Sequence, residues 1–270
     1  MTRKELAKQL GISRSSLYYK HKQLEKDRAI CSKIKIVMRQ NPSYGHRRVA
    51  LALGINHKSA LRIMKKFNLS PRLKRIKHKS NFSKPSIKEA NLIKNICATA
   101  PSEIWASDFT YIRFRNQFVY LTTVIDVFSR KILGWNLSLK ADTKMVLTAI
   151  EEALATGSPK FFHTDRGSPF YDKKIAALLK KYSIKHSRSD KSSPWQNSWQ
   201  ESFFSQFKLE LEGTGRFKDF EELVDGINNQ IMYYNEKRIH TALGKSPSQF
   251  LSEFKVAHKR IVQVSKKMGT

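Results

Sequence analysis

Cysteine is nearly absent from this sequence. Cys31 and Cys97 are the only two in 270 residues, and they stand far apart. A disulfide framework and a Cys-x-x-Cys zinc site are therefore excluded. The eight His residues form no close pair with metal-ligand spacing. No apolar run approaches the ~18 residues of a membrane span, and the N-terminus lacks the apolar core of a signal segment. Acidic residues are scarce too: 22 Asp and Glu face 51 Lys and Arg, for a formal net charge of +29. Yet 40% of the chain is hydrophobic, including 16 Phe, which is too apolar for a disordered basic tail. What remains is a folded protein of a reducing, cytoplasmic compartment, with no membrane partner and a polyanion as its expected one.

The positive charge is uneven. Residues 1–88 hold 24 Lys and Arg against 3 acids, whereas residues 89–270 hold 27 against 19. The first stretch reads as a nucleic-acid grip. Thr2-Arg3-Lys4-Glu5 is a capping box followed by Leu6, Ala7 and Leu10 at helical spacing. Gly11 breaks that run, and Ser13 can cap a second helix carrying Leu17, Tyr18 and Tyr19. The pattern recurs: Ala50 precedes Gly54 by four residues, Asn56 can cap, and Ala60, Leu61, Ile63 and Met64 follow. Two helix-turn-helix units are expected, at 1–27 and 28–75. Residues 76–100, basic and without apolar periodicity at their start, read as a linker.

From about residue 101 the texture changes. Ile104 to Phe114 and Phe118 to Phe128 are rich in Thr, Tyr, Val, Ile and Phe around an Arg115-Asn116-Gln117 turn, and Lys131 to Leu139 continues as a third strand. A helix opens at Asp142, a strand follows at Lys160 to Thr164, then a helix over Asp172 to Lys181 and a strand near Ile184. This order predicts an α/β fold: a mixed five-stranded sheet flanked by helices, in the ribonuclease-H-like arrangement, over 101–212. Residues 213–270 should supply a C-terminal helix and tail packed on that core, through Phe220, Leu223, Val224, Ile227, Ile231 and Tyr234.

Three carboxylates suit phosphoryl chemistry. Asp108 lies inside the first strand, where an acid is costly unless a cation or hydrogen bonds satisfy it. Asp165 ends the fourth strand in His163-Thr164-Asp165-Arg166-Gly167. Glu201 shares a polar helical face with Ser205 and Lys208, distinct from the face of Gln200, Phe203, Phe204, Phe207 and Leu211. Carboxylates converging from two strands and a helix can hold two hard divalent ions about 4 Å apart, the arrangement of an in-line phosphoryl displacement. Between Asp165 and Glu201 lie 35 residues.

That Asp, Asp, 35 residues, Glu pattern resembles the insertion-sequence-three family of bacterial transposases (downstream-frame type), relatives of retroviral integrases. Lys208, seven residues past the glutamate, is similar to the family's basic residue there. Val124 to Arg130, His163 to Ser168, Trp195-Gln196-Asn197, Tyr234 to His240, Leu243-Gly244 and Ser246-Pro247 agree with it as well, and Tyr44 to Arg48 resembles its helix-turn-helix region. Gln196 stands where the family often has Asp, and Arg166 where Gln is common.

The resemblance implies a DDE-type polynucleotidyl transferase that cleaves and transfers DNA strands. Asp108, Asp165 and Glu201 would hold two Mg²⁺ ions, with Mn²⁺ able to substitute. Arg14, Arg47, Arg48, Lys58 and Arg62 are candidate contacts to terminal inverted repeats; Lys208 is a further DNA-contact candidate, and Arg238 either contacts DNA or closes the domain. Expected partners are double-stranded DNA, both element ends and target, and further copies of the chain, at least a dimer. The leucine-zipper helix of many family members is missing here, so an upstream reading-frame product is another candidate partner. A nucleoid-associated bacterial location follows. Two rival classes stay open: a DNA-binding regulator with a dead core, and a hydrolase without strand transfer. Asp126 and His163 read as a turn-former and a structural histidine, and Trp195 and Trp199 as core packing.

Overall fold

The computed structural model describes residues 2–13, 15–16, 22–72, 91–190 and 194–268. Arg14, the helix expected around Leu17 to Tyr19, most of the linker and the side chain of Trp195 lie outside the described residues. The chain forms two compact units, Met1–Pro71 and Arg72–Thr270.

In the first unit, α1 spans Arg3–Gln9, with Thr2 and Glu5 closing the expected capping box. Helix α2 runs unbroken over Lys22–Gln40. It passes through positions 27 and 28, where the sequence suggested a boundary; no Gly or Pro within it supplies a break. Helices α3 (His46–Leu53) and α4 (His57–Lys66) form a helical hairpin turned at Gly54. Gly54 sits at φ 63, a left-handed conformation that glycine enters without strain, and its N–H bonds back to Ala50. Asn56 caps α4 by accepting from the Lys58 N–H at 2.8 Å. Ile34, Tyr44, Val49, Ala50, Ala60, Ile63 and Met64 are buried between α2, α3 and α4.

The second unit is built on one sheet. Strands β1 (Ile104–Phe114), β2 (Gln117–Asp126) and β3 (Ile132–Ser138) form an antiparallel meander. After α5 (Thr143–Leu154), β4 (Phe161–Thr164) returns parallel to β1; after α6 (Lys173–Lys181), β5 (Lys185–Arg188) lies parallel to β4. The sheet order is β3-β2-β1-β4-β5. Strand β2 stops at Asp126, two residues short of expectation, because the Asp126 carboxylate accepts from the backbone N–H groups of Ser102 and Ser129 and folds the chain over. Asp126 is thus a turn-former, as read from the sequence.

Helices cover both faces. Trp105, Val124, Met145, Val146, Ile150, Phe162, Ile175 and Leu179 pack α5 and α6 on one side. On the other side, α7 (Ser198–Glu210) and α8 (Phe220–Glu236) contribute Phe203, Phe204, Phe207, Leu223, Ile227 and Ile231 against Ile104, Ile112 and Leu121. The C-terminal packing expected from the spacing of α8 is therefore present. The last helix, α9 (Pro247–Met268), seats Phe250 and Phe254 on Phe128.

Candidate active site

The parallel register of β1 and β4 fixes the first two acids. Their last paired rung joins Ser107 to Thr164, so Asp108 and Asp165 each stand one residue past it. Adjacent strands lie about 4.8 Å apart, which makes these carboxylates neighbours where β4 ends. The Phe109 N–H donates to Asp108 Oδ1 at 2.7 Å, and the Gly167 N–H donates to Asp165 Oδ1 at 2.8 Å. Gly167 is closely packed: a Cβ there would lie 3.0 Å from both Asp165 Oδ1 and Phe109 Cε1, and those side chains would have to shift to admit it.

The third acid arrives on α7, and two polar residues bind the start of that helix to the sheet. Gln200 Nε2 donates to the Ala106 carbonyl at 2.7 Å and to the Thr123 carbonyl at 3.1 Å, while its Oε1 accepts from the Thr123 hydroxyl at 2.8 Å. Asn197 Nδ2 donates to the Ser107 carbonyl at 3.4 Å. Both residues are buried, and Glu201, the next residue, is exposed. The sequence reading grouped Gln200 with the aromatic face; an amide among phenylalanines was the signal that it has a specific partner.

The electrostatics show what this arrangement lacks. Burial, then the charge of Asp165, then that of Glu201 push the Asp108 carboxyl up to about 8, against the one backbone N–H that favours its ionised form. Burial also raises Asp165. Among the described residues, no cation figures among the causes that shift Asp108. Among the described residues, no three His, Cys, Asp or Glu side chains are gathered tightly enough to hold one ion as they stand. Oxygen-only donors in a half-buried pocket of uncompensated negative charge fit a hard divalent cation.

His163, two residues before Asp165, is fully buried, with Nδ1 3.0 Å from the Ser187 hydroxyl. Burial holds its pKa down at about 4, so the imidazole is neutral and part of the core. Trp199 packs against the hydrophobic core with Arg130 over its ring. Gln196, one of the departures from the family pattern, brackets Asp190 with two hydrogen bonds.

The expected DNA contacts divide. Arg47 and Lys58 are exposed on α3 and α4, and Arg48 lies over the Tyr44 ring at 5.7 Å. Arg62 is committed elsewhere: with Lys66 it clamps the buried Asp27 of α2, through contacts of 2.7 and 2.8 Å. Lys208 projects from α7 with its ammonium 4.7 Å from the Tyr111 ring, and burial lowers its pKa. Arg238 is 2% exposed, with its guanidinium bonded to Glu210 and Gln206, which are the contacts of a residue that closes the domain.

A mixed sheet with one acid inside β1, another just past the end of β4 and a helix crossing beside them defines the integrase-core class within the ribonuclease-H-like folds. Family models of the integrase core domain match residues 98–194 and 182–247. The simian T-cell lymphotropic virus intasome, solved with a PP2A regulatory subunit, shares the fold at a TM-score of 0.51 and 18% identity, over 81% of this chain and 74% of that one. The transposase of insertion sequence element IS904 from Lactococcus lactis is 35% identical over 234 residues, covering 82% of this chain and 92% of its own. A putative transposase of element IS150 from Escherichia coli is 29% identical over 263 residues, 92% of this chain and 93% of its own. The chain belongs to the insertion-sequence-three family of transposases.

Proposed function

We propose that this transposase cuts and joins DNA at the ends of its element with Asp108, Asp165 and Glu201 as the catalytic carboxylates. The observation that carries the reading is the parallel register of β1 and β4, which sets Asp108 beside Asp165, with the charge of Glu201 also felt at Asp108. A protein retains such a cluster of unpaired acids at a cost, and sites of this kind are more often functional than structural. Two Mg²⁺ ions, or Mn²⁺ in their place, would be held by the three carboxylates and would supply Lewis acidity to the reacting phosphate.

In the first reaction a water attacks a phosphodiester at the element end and frees a 3′-hydroxyl. In the second that hydroxyl attacks a target phosphodiester and expels the target's own 3′-oxygen, so phosphodiester number is conserved and no protein adduct forms. The chain's contribution is positional. Register places Asp108 beside Asp165, Gly167 fixes the turn that carries Asp165, and Gln200 with Asn197 set the start of α7 on β1. The N-terminal unit, with Arg47, Arg48 and Lys58, grips the terminal repeats, and two or more copies bring two ends together. An upstream-frame product is a candidate companion.

Glu201→Gln tests the reading. It removes one charge, keeps the helix and leaves the N-terminal unit untouched. Strand cleavage in Mg²⁺ should fall below detection, while repeat binding stays within about twofold in an electrophoretic shift. Retained cleavage would remove Glu201 from the site, and equal loss of binding would make its role structural.

A further inference from the structure

Strand β1 outruns β4. Past Asp108 it continues to Phe114 without a partner strand on that side, and the chain after α7 passes alongside, where the Thr214 hydroxyl bonds to the Arg113 carbonyl. A groove of about 490 Å³ opens there, lined by Tyr111, Arg113, Arg115, Phe118, Lys208 and Leu211 among others. Every charged side chain in its lining is basic.

Its aromatics are unusually open. Tyr111 is 61% and Phe118 50% exposed, yet their rings meet edge to face at 5.3 Å. Lys208 sits over the Tyr111 ring, and Arg113 and Arg115 are exposed beside it. An apolar floor with a cationic rim matches a nucleotide, whose base has a face to stack and whose phosphate carries the charge.

The groove also stands at a defined remove from the acids. Tyr111 is three residues past Asp108 on an extended strand, ~10 Å at about 3.3 Å per residue. Lys208 is seven residues past Glu201 on a helix, again ~10 Å at about 1.5 Å per residue. Three stacked nucleotides span the same ~10 Å at about 3.4 Å per step.

We infer that this groove seats an unpaired nucleotide about three steps from the phosphate addressed by the carboxylates. One base stacks on Tyr111 or Phe118, and the flanking phosphates pair with Arg113, Arg115 and Lys208. The inference rests on the assignment of the three acids above. It adds a role the acids do not explain: holding a frayed strand end away from its complement.

The test is binding by the full chain in a chelating buffer, read as fluorescence anisotropy with two labelled probes, a 12-nucleotide oligothymidylate and a blunt 12-base-pair duplex. The double variant Tyr111→Ala, Phe118→Ala should lose about tenfold or more on the single strand, since each stacked base contributes severalfold to affinity. Its duplex binding should stay within about twofold of the parent. Tyr111→Phe, which keeps the ring, should bind like the parent. Arg113→Ala should reduce the log–log salt slope on the single strand by about 0.7.

Equal loss on both probes would assign the groove to duplex backbone and overturn the inference; so would no loss on either, which leaves the patch to a protein partner. Should the double variant fail to fold, the Arg113→Ala slope decides, and an unchanged slope overturns the inference. Without divalent ions the readout is blind to catalysis. Its failure therefore leaves the carboxylate assignment standing, and a cleavage-competent Glu201→Gln protein would remove that assignment without altering binding in the groove.

Discussion

Asp27 in the N-terminal unit and Asp108 in the catalytic unit are both withdrawn from solvent, and their surroundings treat them in opposite ways. Around Asp27 stand Arg62, Lys66 and Gln23, all donating to its two oxygens, and the carboxyl is held far below its ordinary range. Around Asp108 stand Asp165 and Glu201, and the carboxyl is pushed up to about 8. The first acid is fully satisfied by its own chain and fastens α2 to α4. The second has one backbone N–H and two acids for neighbours, and on the function proposed above its counter-charge would come from bound ions. The contrast separates fastening from function more sharply than burial does, because burial alone raises both.

Neutralising each acid should therefore have opposite consequences, and this is the largest effect expected. Asp108→Asn should abolish strand cleavage while raising the melting temperature of the metal-free protein at pH 8 by several degrees, because it removes an uncompensated charge. Asp27→Asn should leave the carboxylate cluster intact but lower hydrogen-exchange protection across α2 and α4, since two cations lose their common partner. If Asp108→Asn also destabilised the metal-free protein, the strain assigned to the acid cluster would be absent.

Next in size is the Arg238–Glu210 pair, which belongs with Asp27 as a satisfied acid. Arg238→Ala leaves Glu210 buried without its cation, and removing one partner of such a pair costs about 3–5 kcal/mol. Denaturant unfolding should show that loss, and DNA affinity per folded molecule should be unchanged. A loss of affinity at unchanged stability would return Arg238 to the DNA-contact surface.

The smallest effect is in pH. A carboxyl raised in the folded state binds its proton more tightly there than in the unfolded chain. Its contribution to stability is complete below its ordinary value near 3.8 and is lost as pH rises through about 8. Asp27 is lowered, so its contribution is present above 3.8 and is lost as pH falls below it. Exchange protection in β1 and β4 should fall between pH 5 and 8 without divalent ions, and flatten in Asp108→Asn. Protection in α2 and α4 should instead fall on acidification below pH 4.

Much of this was legible in the sequence where the cause was local. The Thr, Tyr, Ile and Phe run from Ile104 marked β1, Asn56 marked the start of α4, and the spacing of Leu223, Ile227 and Ile231 marked a helix that packs on the core. The acids were legible through their setting: one inside a strand, one at a strand end, one 35 residues further on a helix. What escaped depends on partners distant in the chain. Arg62 reads as a DNA contact because a basic chain invites it, and Arg238 as either a DNA contact or a closing residue; their partners Asp27 and Glu210 stand 35 and 28 residues away. The grip of Gln200 on Ala106 spans 94 residues, and the exposure of Tyr111 follows from β4 ending at Thr164. Neither is written in local pattern.

Anomalous scattering from Mn²⁺ in crystals of the protein bound to an element-end DNA tests the central claim most directly. The account predicts two manganese peaks about 4 Å apart, with carboxylate oxygens of Asp108, Asp165 and Glu201 in their coordination spheres. Manganese bound elsewhere on the chain, with these three side chains left unligated, would contradict it.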